Sequence, residues 1–128
     1  MAKTVMIVDD EEIIIRALLR VFRDEGYNIL TATNPKEALD TVSSNHIDLI
    51  ISDKRMPDMD GVELLQKVAE VYPDSIRLIL SGSLGFEGRT SLHWAIKEGI
   101  VHEVIHKPWE NEDLKVRIRD YLEPPANP

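Results

Sequence analysis

Five side chains that could handle a divalent cation or a phosphoryl group stand in one relation to the chain around them, each at the end of a short apolar run. Asp9 and Asp10, with Glu11 beside them, follow Val5-Met6-Ile7-Val8, and Asp53 follows Leu49-Ile50-Ile51-Ser52. Ser81 follows Ile76-Arg77-Leu78-Ile79-Leu80, and Lys107 follows Val104-Ile105-His106. Carboxylates brought together repel one another and invite a hard cation with oxygen ligands. Mg²⁺ suits best, because it keeps several waters and takes one or two carboxylates together with phosphate oxygens. An aspartate can also attack phosphorus and carry the phosphoryl group as an acyl phosphate. The charge on that group calls for a metal on one side and hydrogen-bond donors on the other. A lysine ammonium and a serine hydroxyl are such donors.

The elements that must bring these residues together are legible in the hydrophobic pattern. Apolar runs with no alternation, such as Val5 to Val8 and Asp48 to Ser52, read as strands buried on both faces. Tyr27 to Ala32, Ile76 to Leu80 and Val104 to His106 read as three more. Between them lie amphipathic stretches. Ile14, Ala17, Leu18, Val21 and Phe22 share a helical face that Gly26 stops. Asn34, Pro35 and Glu37 form a helix start, and Val62 to Val71 is helical. Ser91 to Glu98 reads as a helix ending near Gly99, after a loop holding Gly82, Gly85 and Gly88. Leu114, Ile118, Tyr121 and Leu122 mark the last helix. Five βα units in series imply a parallel sheet with helices on both faces. The expected fold is a flavodoxin-like (βα)5 doubly wound sandwich, with strands in the order 2-1-3-4-5. In such sheets ligands sit beyond the carboxyl ends of the strands, where the order reverses. Asp9, Asp10, Asp53, Ser81 and Lys107 therefore converge on one small pocket.

The 128 residues suffice for one domain, 43% of them hydrophobic and 30% charged. A net charge of −8 argues against direct nucleic-acid binding and suits an acidic pocket that gathers cations. There are no cysteines for disulfides, thiolate metal sites or nucleophiles, which fits a reducing cytoplasm. No apolar run approaches the ~20 residues that span a bilayer, and no targeting segment is evident. We expect a domain over residues 1–123 and a Pro-rich tail or linker stub over 124–128.

The motifs Ile7-Val8-Asp9-Asp10-Glu11, Asp53 through Met56-Pro57 to Asp60-Gly61, Ser81-Gly82 and Lys107-Pro108 closely resemble the response-regulator receiver family of two-component signalling. The resemblance runs in order from about Lys3 to Leu122. It implies a bacterial phosphorylation-dependent switch, with Asp53 as phosphoacceptor and Asp9 and Asp10 as the acidic metal-binding pair. The main-chain carbonyl of Arg55 becomes a further Mg²⁺ ligand, beside direct ligation by Asp53 and Asp10 and a water-mediated contact to Asp9. Ser81 takes the place of the switch hydroxyl. Lys107 becomes the phosphate-contacting lysine, before a proline that in this family usually follows a cis peptide. The implied partners are a sensor histidine kinase or phosphotransfer protein and an output domain or partner protein. A homodimer formed on phosphorylation is also compatible with the family. The implied location is the cytoplasm, with no membrane contact. The chain departs from the family at Val104, where an aromatic is common, and through a longer Ser83 to Arg89 segment. Both lie on the output side.

Blander readings compete. Asp9 and Asp10 could cap the first helix, for up to ~1–2 kcal/mol. Asp58, Asp60 and Gly61 read as turn and helix-start residues, because Met56 and Lys67 occupy positions where a calcium loop needs acids. His46, His93, His102 and His106 have no ligand spacing, and Trp94 and Trp109 read as packing groups. The alternative function is a Mg²⁺-dependent phosphohydrolase with an aspartyl-phosphate intermediate. Haloacid-dehalogenase-type enzymes want an acid two residues after the nucleophile, where this chain has Arg55. We therefore expect a phosphoacceptor that assists its own phosphorylation rather than a turnover enzyme.

Overall fold

The computed structural model describes residues 2–82 and 86–123, the stretch 86–91 through its backbone. Strands and helices alternate throughout: β1 (Thr4–Val8), α1 (Glu12–Phe22), β2 (Asn28–Ala32), α2 (Pro35–Ser44), β3 (Leu49–Asp53), α3 (Gly61–Val71), β4 (Ile76–Ser81), α4 (Phe86–Lys97), β5 (Glu103–His106) and α5 (Asn111–Leu122). The five strands pair in parallel in the order β2-β1-β3-β4-β5, as expected.

The pleat sorts each apolar run between two cores. Val5 and Ile7 of β1, Leu49 and Ile51 of β3 and Leu78 and Leu80 of β4 pack with Ile15, Leu18 and Phe22 of α1 and Leu114 and Ile118 of α5. Their neighbours Met6, Val8, Ile50 and Ile79 point the other way, onto Val42 of α2, Leu64, Leu65 and Val68 of α3 and Ala95 of α4. This is why the central strands show no alternation in sequence: both faces are covered. The chain leaves β1 toward β2, then crosses back to β3. The strand order therefore reverses between β1 and β3, and their carboxyl ends flank the crevice where ligands enter such sheets.

Local chemistry sets the helix ends. Asn34 accepts the Glu37 N–H at 2.8 Å with Pro35 at the first turn of α2, and Asp60 caps α3 through the Val62 N–H at 2.7 Å. Glu110 caps α5. Gly26 and Gly99 take φ values of 82° and 78°, left-handed conformations that glycine adopts without strain after α1 and α4.

Three expectations need correction. Helix α4 begins at Phe86 rather than Ser91, so the backbone is helical through Gly88. A lone glycine costs a helix interior only about 1 kcal/mol, too little to end it. On α1, Ile15 is buried and Ile14 only partly so, because the stripe is rotated by one residue. Trp94 is 48% exposed on α4 and is not a packing group, whereas Trp109 packs against the core shared by α1 and α5. Residues 83–85 of the longer segment, and the tail 124–128, lie outside the described residues.

Candidate functional site

The acids after β1 are held differently from one another. Asp9 is fully buried, and its backbone N–H donates to the Ala32 carbonyl at 3.1 Å, which continues the β1–β2 ladder. Its Oδ1 accepts the Glu11 N–H at 2.9 Å, leaving Oδ2 to face the crevice floor. Asp10 is exposed. Neither aspartate caps α1, whose N-cap is Glu11 without a side-chain cap bond. The capping reading therefore does not account for them.

Asp53 is the last residue of β3 and is 8% exposed. One carboxylate oxygen from each of Asp9, Asp10 and Asp53 lies within 4.8 Å of the others. Lys107, directly after β5, reaches between two of them: its Nζ is 3.1 Å from Asp53 Oδ1 and 3.3 Å from Asp9 Oδ2. Its backbone N–H donates to the Ser81 carbonyl at 2.9 Å, which ties the end of β5 to the end of β4. The Lys107–Pro108 peptide is cis, as the resemblance implied. Ser81 is buried at the end of β4. The sheet thus brings together Asp9, Asp10, Asp53, Lys107 and the end of β4 that carries Ser81. Arg55 is exposed in the loop two residues beyond Asp53.

Three carboxylates against one ammonium leave two negative charges uncompensated in a half-enclosed crevice. Burial pushes the Asp53 carboxyl above its ordinary range; Lys107 opposes that rise and the Asp10 charge adds to it. Burial also raises Asp9, against the Glu11 N–H and with help from the Asp53 charge. Lys107 loses solvation too, yet the bond to Asp53 and the charge of Asp9 more than restore its proton and hold its pKa above the ordinary value. The pocket is therefore strained toward taking up positive charge. Its donors are oxygen-only, hard and anionic, which fits Mg²⁺ and offers nothing to a soft metal.

Two features near Asp53 escaped the sequence reading. A Cβ on Gly61 would lie 2.2 Å from the Asp53 carbonyl oxygen, so only glycine lets α3 start this close to β3. Lys54, read only as part of a loop, places its Nζ 2.6 Å from Asp60 Oδ2 with its side chain 12% exposed. Lys54 and Asp60 lie at the two ends of the loop between β3 and α3, where no helical or strand period applies, so pattern reading has no means of pairing them.

A doubly wound sandwich with carboxylates and one ammonium gathered at the ends of its central strands is the arrangement that the resemblance to receiver domains implied. The family model described as the response regulator receiver domain matches residues 5–119, and the chain belongs to that family. It is a phosphorylation-dependent signalling switch of the two-component type, and the phosphohydrolase reading is not favoured. Hydrogenase transcriptional regulatory protein HoxA of Bradyrhizobium diazoefficiens is 30% identical over 120 residues, 94% of this chain and 24% of that protein. Sporulation initiation phosphotransferase F of Bacillus subtilis is 31% identical over 122 residues, 95% of each chain. The signal receiver domain of an HD domain-containing protein from Pseudomonas fluorescens is 29% identical and superposes with a TM-score of 0.88 over 96% of both chains. The chain spans about a quarter of the length of HoxA.

Proposed function

We propose that the domain accepts a phosphoryl group on the Asp53 carboxylate from a phosphohistidine of a sensor kinase or phosphotransfer protein. The observation that carries this reading is Lys107 Nζ bridging Asp53 at 3.1 Å and Asp9 at 3.3 Å, within a cluster of three carboxylates. In the transfer, an Asp53 oxygen forms a bond to phosphorus while the donor N–P bond breaks. The electron pair returns to the imidazole nitrogen. Asp53 is the acceptor because it alone of the three ends a central strand and meets Lys107 with its carboxylate partly open. Lys107 then follows the new phosphoryl oxygens as a counter-charge, and the Ser81 hydroxyl donates to one of them.

Asp53, Asp10 and the Arg55 main-chain carbonyl are the residues that would hold Mg²⁺, with Asp9 acting through water; when bound, the ion offsets the negative charge shared by carboxylates and phosphoryl oxygens. Asp9 keeps Lys107 oriented and maintains the local excess of negative charge that draws the cation in. The domain, residues 1–123, acts as a switch for an output domain or partner, with 124–128 as linker, and it works in the cytoplasm where such donors reside. Among the described residues no helix is long and apolar enough to cross a membrane. The acyl phosphate hydrolyses slowly and the domain does not turn over an outside substrate.

Labelled acetyl phosphate tests this reading. With Mg²⁺, label enters the protein as an alkali-labile acyl phosphate, and chelation prevents it. Sustained release of phosphate from simple phosphomonoesters over many turnovers contradicts the reading and favours a hydrolase.

A further inference from the structure

Lys54 stands directly after Asp53, and all of its polar groups are committed. Its backbone N–H donates to the Leu80 carbonyl of β4 at 2.9 Å, and its carbonyl accepts the Gly61 N–H at 2.9 Å. Its ammonium lies 2.6 Å from Asp60 Oδ2. Asp60 Oδ1 meanwhile accepts the Val62 N–H at 2.7 Å as the cap of α3. The segment 54–60 is thus closed twice at its base, once through backbone and once through an ion pair. Inside that closure Asp58 has a φ of 73°, the left-handed region, which aspartate adopts more readily than most non-glycine residues. An immobilised lysine gives up side-chain entropy that a solvated surface lysine keeps.

We propose that Lys54 is a positioning residue for the cation: its ammonium clamps Asp60, closes the 54–60 loop, and holds the Arg55 carbonyl where the acidic cluster can use it. Lys54 touches neither cation nor phosphoryl group in this role. It acts on the ligand backbone through the cap of α3. The inference rests on the function proposed above and adds an outer residue to it.

Charge alone predicts the opposite outcome, which makes the proposal testable. Removing a positive charge beside an acidic pocket strengthens cation binding if Lys54 acts only through its field. Loosening the loop weakens binding, and losing an outer-shell partner commonly lowers metal affinity by about tenfold or more. Mg²⁺ titration followed by amide chemical shifts reads the affinity of the folded molecules, whatever the variant does to stability. The full chain, Lys54→Met and Lys54→Arg are compared, with Lys54→Gln replacing the methionine variant if that does not fold. We expect Lys54→Met to bind Mg²⁺ about tenfold more weakly. Lys54→Arg, which retains a cation long enough to reach Asp60, restores binding close to the parent value. Affinity unchanged or increased in Lys54→Met overturns the proposal while leaving the Asp53 assignment intact. A parent chain that shows no Mg²⁺ response overturns both.

Discussion

At the scale of single residues, the pocket is built against its own stability. Asp9 and Asp53 are buried carboxyls whose pKa values lie above the ordinary 3.8. A raised acid binds its proton more tightly in the folded state than in the unfolded one. Between 3.8 and the raised values the native protein therefore holds more protons, and stability declines as pH rises through that window. Lys107 acts in the same direction at higher pH: its contribution is complete below its ordinary 10.5 and is lost as pH climbs beyond that. Without divalent cation, Asp53→Asn should match the parent near pH 3.8 and become progressively more stable than it toward neutrality. Urea unfolding across pH in chelator measures this. A variant less stable than the parent at neutral pH would show that the Lys107 bond outweighs the burial of the charge.

At the scale of elements, the sheet delivers the site and the helix ends are fastened around it. Arg77 on β4 is 4% exposed, and among the described residues its guanidinium is met by carbonyl and hydroxyl oxygens rather than by a carboxylate. Its guanidinium donates to the Ser75 carbonyl at 2.9 Å and the Pro73 carbonyl at 3.2 Å beyond α3, and to the Gly99 carbonyl at 3.0 Å and the Ile100 carbonyl at 2.8 Å beyond α4. One buried cation thus closes the carboxyl ends of two helices, at the amino end of β4, the end of the sheet opposite the pocket. His102 supports it by accepting the Arg77 N–H on Nδ1 at 3.0 Å. Arg77→Met keeps much of the volume and strands those carbonyls, so it should cost at least ~2 kcal/mol in denaturant unfolding while acetyl phosphate still labels the protein. A cost below 0.5 kcal/mol, the range of ordinary surface changes, would contradict that role.

Legibility in the sequence divides along the same line. The strands, their order and the convergence of Asp9, Asp10, Asp53, Ser81 and Lys107 followed from buried apolar runs and one topological rule. Lys54 with Asp60, Gly61 against Asp53, and Arg77 with its carbonyls were hidden, because loop closure and close backbone approach leave no periodic trace. The early start of α4 was hidden for a different reason: Gly88 reads as a breaker when its cost is small.

At the scale of the whole molecule, the question is how a phosphoryl group at Asp53 reaches an output surface. Val104, paired with Ile79 across β4 and β5, packs partly buried against the core beneath α3 and α4. Valine is stiff at its first torsion and has no ring to swing between solvent and core. With the carboxyl end of α4 fastened by Arg77, we expect Ser81 to act on the other end of that helix, through Ser83 to Arg89, leaving β5 in place. Hydrogen exchange with and without beryllofluoride should change protection at the start of α4. Changes confined to Val104 through His106 would contradict this route.

The central claim is that Asp53 is the sole phosphoacceptor, and intact-mass measurement after acetyl phosphate and Mg²⁺ tests it most directly. The account predicts a single phosphoryl adduct on the parent chain and none on Asp53→Asn. An adduct that persists in Asp53→Asn would contradict it.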